Sequence, residues 1–209
     1  MRGWRTRDII HTEWKRQCMT ETVVLDLDDL TTDIPALTAS LAIHMQEAVV
    51  MCMKSHNHLP GVLCAIRDFE DELVIVRIQW KLSYSEEIRR AFGHSRNAAE
   101  KAGEAIAILT ATAFTDYTVV ERARIGNGFD FWMSRNDDDH DYLYQHTIGL
   151  ECKGLSNAKY PSEIVAAVQG GIKQIKESPN AKFPALVLAT EFSRPVVYMV
   201  QYEPERPES

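Results

Sequence analysis

The fold of this chain is decided by Gly128-Phe129-Asp130-Phe131-Trp132 and, after a polar stretch, Ile148-Gly149-Leu150-Glu151-Cys152-Lys153. Both runs are rich in aromatic and aliphatic residues, a composition typical of strands. Successive side chains of a strand point to opposite faces, so Glu151 and Lys153 share one face of the second strand. The two runs predict a hairpin of residues 129–134 and 147–153.

Such a hairpin brings Asp130 beside Glu151, with Lys153 on the same face. Hard carboxylate oxygens suit Mg²⁺ or Mn²⁺, which bind through one or two carboxylates, waters and the phosphate oxygens of a substrate. The metal would polarise a phosphate, while Lys153 would orient or help to deprotonate the attacking water and offset the growing negative charge. The pattern predicts a metal-dependent phosphodiesterase site.

The segments around this hairpin alternate between helical and strand patterns. An alanine-rich helix precedes it, and a second helix with Ser162 near its cap follows it. The predicted elements, in chain order, are a helix over 98–113, strands over 117–124, 129–134 and 147–153, a helix over 162–176, and strands over 185–190 and 196–202.

This order of elements and the Asp130, Glu151 and Lys153 pattern resemble the PD-(D/E)xK nuclease superfamily, over residues 97–201. The resemblance implies an α/β fold with a restriction-endonuclease-like core, in which helix, three strands, helix and strand form a central mixed sheet. It also implies a Mg²⁺- or Mn²⁺-dependent nuclease that hydrolyses phosphodiester bonds, with DNA favoured over RNA. Phe129 departs from the family pattern, because a proline often precedes the aspartate there.

Carried over residue by residue, the resemblance makes Asp130, Glu151 and Lys153 the catalytic set. Asp130 and Glu151 would be metal ligands and Lys153 the catalytic lysine. The main-chain carbonyl of Cys152 would supply a further metal ligand.

The resemblance also implies contributions from the two core helices. Many relatives add a glutamate from the first helix, and Glu104 is our choice as a metal ligand there. Glu100 is the alternative, since residues four apart share a helical face. Gln169, on the helix after the third strand, would be an accessory residue.

Two alternatives belong to other functional classes. Glu151 and Lys153 would form a solvated strand face in an ordinary α/β domain, although a carboxylate at the end of a buried strand requires a partner. In the second alternative, the chain is a non-catalytic scaffolding or binding subunit that keeps the nuclease fold. A nuclease gated by an effector at the N-terminal half has no glycine-rich nucleotide loop to support it.

The composition, 45% hydrophobic and 25% charged over 209 residues, is that of a globular protein. No apolar run reaches the roughly eighteen residues of a membrane span, so we expect no membrane contact. No apolar signal region is visible, and four scattered cysteines indicate reduced thiols. We therefore expect a cytoplasmic protein. A net charge of −7 is unfavourable for binding a phosphate backbone. We therefore expect a homodimer or a partner subunit, as in a bacterial defence or DNA-processing complex.

The N-terminal part divides into two segments. Residues 1–20 form a basic leader, interpreted as a flexible tail or, alternatively, a phosphate-binding arm. Residues 21–96 form an extension that belongs to the same compact unit, because no linker separates it from the nuclease-like core over 97–209. Its role is left open between extending the core sheet, forming a dimer surface and contacting a partner. It comprises a helix over 33–54, a hairpin of 61–66 and 73–80, and a short connecting helix or loop over 81–94.

Overall fold

The computed structural model describes residues 22–32, 34–67, 73–135 and 146–204. Within them the chain is α/β, with one eight-stranded mixed sheet and four α-helices. The basic leader over 1–20 falls outside the described residues.

The predicted helices and strands occur in the predicted order, and the structure adds a short strand and a 3₁₀ helix before them. None of the helices among the described residues is long and apolar enough to cross a membrane. The strands are β1 (Val24–Asp26), β2 (Val62–Arg67), β3 (Leu73–Gln79), β4 (Tyr117–Arg122), β5 (Phe131–Arg135), β6 (Ile148–Leu155), β7 (Ala185–Glu191) and β8 (Val196–Tyr202), and the helices are α1 (Ala39–Ser55), α2 (Glu86–Phe92), α3 (Ser95–Phe114) and α4 (Pro161–Lys176); a 3₁₀ helix spans Leu27–Thr31.

The strands lie in the order β1-β3-β2-β8-β7-β6-β5-β4. β4, β5 and β6 form an antiparallel meander, as predicted for the hairpin, and β6 then pairs in parallel with β7. The parallel step requires a crossover, which α4 provides. β6 is therefore an inner strand, and its residues from Ile148 to Cys152 are all buried.

The N-terminal extension continues the sheet. β2 pairs in parallel with β8, and β1 and β3 follow beyond it. α1 packs against α3, and residues of both helices belong to one buried cluster. Of the three roles left open by the sequence, extension of the core sheet is the one observed.

Some element boundaries differ from the predictions for local chemical reasons. α1 begins at Ala39 because the Thr38 hydroxyl caps it, accepting the Leu41 N–H at 3.3 Å; Pro35 lies before this cap. α4 begins at Pro161, one residue before the predicted start, and Glu163 accepts the N–H of Tyr160 at 3.0 Å.

Helices cover both faces of β6. α3 lies on the face that carries Leu150 and Cys152, within the larger core cluster. α4 covers the opposite face through Ile164, Val168 and Ile175. By strand alternation, Glu151 points to this second face, beneath α4.

Glycines allow α3 to approach the backbone of β6 closely. A Cβ atom added at Gly154 would lie 1.7 Å from the carbonyl oxygen of Ala99. A Cβ added at Gly103 would lie 2.7 Å from the Cα of Gly154. The helix therefore rests directly on the strand that carries Glu151 and Lys153.

We expect Gly154→Ala to destabilise the protein by about 3 kcal/mol or more, since helix and strand must separate to admit the methyl group. Gly170→Ala is the matched control, because no atom lies within 4 Å of its added Cβ and alanine favours the helix. It should stabilise by about 0.5–1 kcal/mol. Urea denaturation of the three proteins measures both effects, and equal stability of wild type and Gly154→Ala would contradict the close packing.

Candidate active site

The start of β5 brings Asp130 level with Glu151. Phe131 pairs with Leu150, and the N–H of Asp130 donates to the Leu150 carbonyl at 2.9 Å. The Asp130 carboxylate in turn accepts the N–H of Cys152 at 2.8 Å through Oδ2. Asp130 is thus held beside β6 by two hydrogen bonds, one to the residue before Glu151 and one to the residue after it.

Glu151 is fully buried, with an exposed fraction of 0%. The Nζ of Lys153 lies 2.5 Å from its Oε1, a close ion pair. Lys153 thus engages Oε1, and neither Glu151 oxygen has a further hydrogen-bond donor among the described residues. The carboxylate therefore keeps unused acceptor capacity inside the protein.

Burial and a neighbouring negative charge act together on the Glu151 carboxyl group. They raise its pKa from 4.5 to about 7, burial being the larger cause and Asp130 the second. The Lys153 ammonium opposes this shift without cancelling it. The two carboxylates thus lie close enough to repel one another, as the sequence predicted from their positions on neighbouring strands.

α4 covers the side chains of Glu151 and Lys153. A Cβ added at Gly171 would lie 2.8 Å from the Cγ1 of Val187 and 3.1 Å from the Cγ of Glu151, so a larger residue would push the helix away from the sheet. The side chain of Gln174 accepts a hydrogen bond from Lys153 Nζ at 3.2 Å. The predicted accessory residue, Gln169, is exposed on the same helix.

Gln174 is thus a site residue that the sequence reasoning missed. It stands one helical turn after Gly171, beside the buried stripe of α4. The Gly170-Gly171 pair within a helical pattern was the available signal, because such glycines mark a close approach of a helix to its neighbour.

Glu104, the predicted ligand from the first core helix, is engaged in ion pairs. Its carboxylate lies 2.7 Å from the Nζ of Lys101 and 2.5 Å from an Nη of Arg122, and its exposed fraction is 2%. The Arg122 guanidinium also stacks over the ring of Phe131, 4.5 Å from its centroid. Glu100, the alternative, is exposed. The assignment of Glu104 as a metal ligand stays a prediction.

The thiol of Cys152 lies close to three carboxylates. Its pKa is raised well above the ordinary value by burial and then by the negative charges of Asp130, Glu104 and Glu151, while Arg122 opposes the shift. The thiols of Cys52 and Cys64 are also free and buried, and burial raises the pKa of each to about 12.

A divalent cation fits the chemistry of Asp130 and Glu151. It would relieve their repulsion and use the acceptor capacity of the buried Glu151 oxygens. The N–H and C=O of one residue in a strand point to the same edge, so the Cys152 carbonyl is directed to the side of Asp130. Across 22–32, 34–67, 73–135 and 146–204, no group of three or more His, Cys, Asp or Glu side chains is arranged to hold a metal ion. Mg²⁺ needs only one or two carboxylates where water and substrate supply the other ligands.

No protein-family model, curated protein or solved structure matches the chain significantly. The resemblance to the PD-(D/E)xK superfamily therefore stays a prediction, and no relative supplies the role of any residue. The roles of Asp130, Glu151 and Lys153 depend on their contacts, burial and charge.

The raised pKa of Glu151 predicts a pH-dependent loss of stability in metal-free solution. Between pH 4.5, the pKa of an ordinary glutamate, and about 7, the folded protein holds a proton that the unfolded chain has released. The free energy of unfolding therefore falls as the pH rises through this window. We expect Glu151→Gln to lack this fall and to exceed the wild type by on the order of 3 kcal/mol at pH 8.

Denaturant unfolding from pH 4 to 8 in the presence of a chelator measures this difference. Glu100→Gln is the control, because that carboxylate is exposed on α3 and its loss should leave the wild-type profile unchanged. Parallel profiles of the wild type and Glu151→Gln would contradict the proposed environment of Glu151.

Proposed function

We propose that this protein is a metal-dependent nuclease with a restriction-endonuclease-like core. The observation that carries the proposal is the meeting of Asp130, the buried Glu151 and Lys153 at one point of the sheet, with Lys153 Nζ 2.5 Å from Glu151. A buried Glu151 beside the half-buried Asp130 costs stability, and the one ammonium of Lys153 cancels only part of the repulsion between the two carboxylates. A site for a divalent ion and an anionic substrate accounts for all three residues together.

The order of the elements supports the proposed core. From Ser95 to Tyr202 the chain runs helix, three antiparallel strands, helix and two strands, and the helix between β6 and β7 makes the crossover. Glu151 and Lys153 lie on an inner strand, which fixes side chains more rigidly than a loop does, and this supports the proposal.

Asp130, Glu151 and the Cys152 carbonyl are the groups that would hold Mg²⁺ or Mn²⁺. When bound, the ion would polarise a phosphate oxygen and favour ionisation of water. The Asp130 carboxylate is oriented by the Cys152 N–H, so it presents its remaining lone pairs at a fixed position.

Lys153 is the proposed catalytic lysine. Its ammonium group has three donors, which Glu151 and Gln174 engage in part. A remaining donor would orient the attacking water or contact a phosphate oxygen, where positive charge offsets the charge that develops as water attacks phosphorus. Gln174 would hold the flexible lysine stem in the productive position.

The proposed substrate is nucleic acid, with DNA favoured over RNA. A net charge of −7 leaves the chain with limited attraction for a polyanion. We therefore propose that it works as a homodimer or with a partner subunit, in the cytoplasm, as part of a bacterial defence or DNA-processing complex.

The decisive experiment is cleavage of labelled single- and double-stranded DNA and RNA with Mg²⁺ or Mn²⁺. We expect Lys153→Ala, Glu151→Gln and Asp130→Asn each to lower the rate by about 10²–10⁴-fold, because each removes charge stabilisation at the reacting phosphate. Lys54→Ala, on α1, is the matched control and should cleave as the wild type does. Equal rates for wild type and Lys153→Ala would reject the assignment of the site.

Metal binding gives a second test that does not depend on cleavage. Millimolar Mg²⁺ should raise the melting temperature of the wild type by about 2–5 °C, and the increase should be lost in Glu151→Gln and Asp130→Asn. Lys153→Met should keep or enlarge the increase, since the neighbouring positive charge is removed. NaCl at matched ionic strength is the control, and an equal increase in Asp130→Asn would contradict a metal site there.

The alternative function, a non-catalytic scaffolding or binding subunit, predicts the opposite pattern. Neither the wild type nor its complex with a partner would cleave nucleic acid, and Mg²⁺ would not distinguish the wild type from the carboxylate variants.

A further inference from the structure

The loop between β4 and β5, residues 123–130, exposes an isoleucine at its tip. Ile125 is 107% exposed, more than any other large hydrophobic residue among those described. Arg124 beside it is also exposed. The loop tip therefore combines an apolar side chain with a positive charge.

This tip is carried on an anchored loop. The N–H of Ala123 donates to the Asp130 carbonyl at 2.8 Å and closes the base of the loop. The N–H of Asn127 donates to the Arg124 carbonyl at 3.0 Å, which forms a turn. The side chain of Asn180, beyond α4, donates to the Asn127 carbonyl at 3.2 Å. These bonds hold Ile125 in the solvent. Its apolar side chain therefore adds no burial energy to the stability of the folded chain.

Gly128 fixes the loop against the end of α4. Its φ of +85° is a left-handed conformation that favours glycine, and an added Cβ would lie 2.5 Å from Ser178. The loop is therefore docked on the same helix that covers Glu151. The last residue of the loop is Asp130, so the loop tip is connected to the proposed site by a few anchored residues.

A second cation stands at the base of the loop. Arg122, the last residue of β4, is oriented by its ion pair with Glu104 and by stacking over Phe131. Its side chain keeps an exposed fraction of 43%. Glu104 thus holds a partly exposed guanidinium next to Phe131, the first residue of β5, which directly follows Asp130.

We propose that the β4–β5 loop is a nucleic-acid contact of this protein, in which Arg124 binds a backbone phosphate and Ile125 packs against an exposed base or between two bases. This inference rests on the proposed function, because the loop adjoins the proposed hydrolytic site.

Nucleic acid is the occupant that fits both properties of the tip. Its phosphates attract the arginines, and its bases offer flat apolar surfaces to an aliphatic side chain. A protein interface would require a broad apolar patch around its anchor. Here the neighbours of Ile125 are Arg124 and Gly126, both exposed. Contacts of this kind compensate locally for the acidic charge of the whole chain.

The test measures binding of a fluorescent duplex and of the matching single strand by anisotropy at several salt concentrations, with Ca²⁺ to suppress cleavage. Ile125→Ser should raise the Kd by about fivefold or more without changing the salt dependence, because it removes an uncharged apolar contact with a base. Arg124→Ala should reduce the slope of log K against log[salt] by about 1, because it removes one phosphate contact. Leu59→Ser and Arg90→Ala, exposed residues before β2 and on α2, are the matched controls and should bind as the wild type does.

Cleavage of the same substrates with Mg²⁺ distinguishes failure of this inference from failure of the proposed function. If the wild type binds and cleaves while Ile125→Ser and Arg124→Ala match it within twofold, the loop contact is rejected and the nuclease stands. If the wild type neither binds nor cleaves, both are rejected. Loss of a dimer in the Ile125→Ser variant, with nucleic-acid binding unchanged, would assign the tip to a protein interface and overturn the inference.

Discussion

The structure depends on how closely two helices approach strand β6. On one face α3 rests on the backbone at Gly154, and on the other α4 passes over Glu151 at Gly171. Both contacts exclude side chains, so they bring the helices nearer than ordinary packing between a helix and a sheet allows. β6 is thereby fixed between its neighbours, and the chemistry proposed for it gains a rigid support.

This packing also explains the unusual state of Glu151. The cover formed by α4 removes water from a carboxylate that already faces Asp130, and one lysine compensates for it only in part. A charged group in such a place is a cost to folding. Strained or electrostatically unfavourable groups concentrate at functional sites, where a ligand restores the balance. The cost at Glu151 and the function proposed for it thus have the same physical origin.

The local patterns of the sequence were sufficient for the hairpin of β5 and β6. Alternation assigned Glu151 and Lys153 to one face, and pairing of two short apolar runs brought Asp130 to Glu151. The long-range pairings were beyond such reasoning, because nothing local indicates that β2 joins β8 or that β1 runs parallel to β3. Gln174 and the pairing of Glu104 with Arg122 were missed for a related reason. Helical spacing shows which residues share one face of a helix. Which strand that face contacts depends on the crossover connection, which local patterns do not reveal.

Three buried thiols in the part of the chain that the structure describes can report local opening of the protein. Cys52 lies in α1, Cys64 in β2 and Cys152 in β6, and each is shielded from solvent with a pKa that disfavours the reactive thiolate. An alkylating reagent can therefore modify each of them only when the surrounding element opens. The rates of modification, read peptide by peptide in a mass spectrometer, rank the local stabilities of the extension and of the strand that carries the site. No engineered label is needed, and binding of an ion or substrate at β6 would register as protection of Cys152 alone.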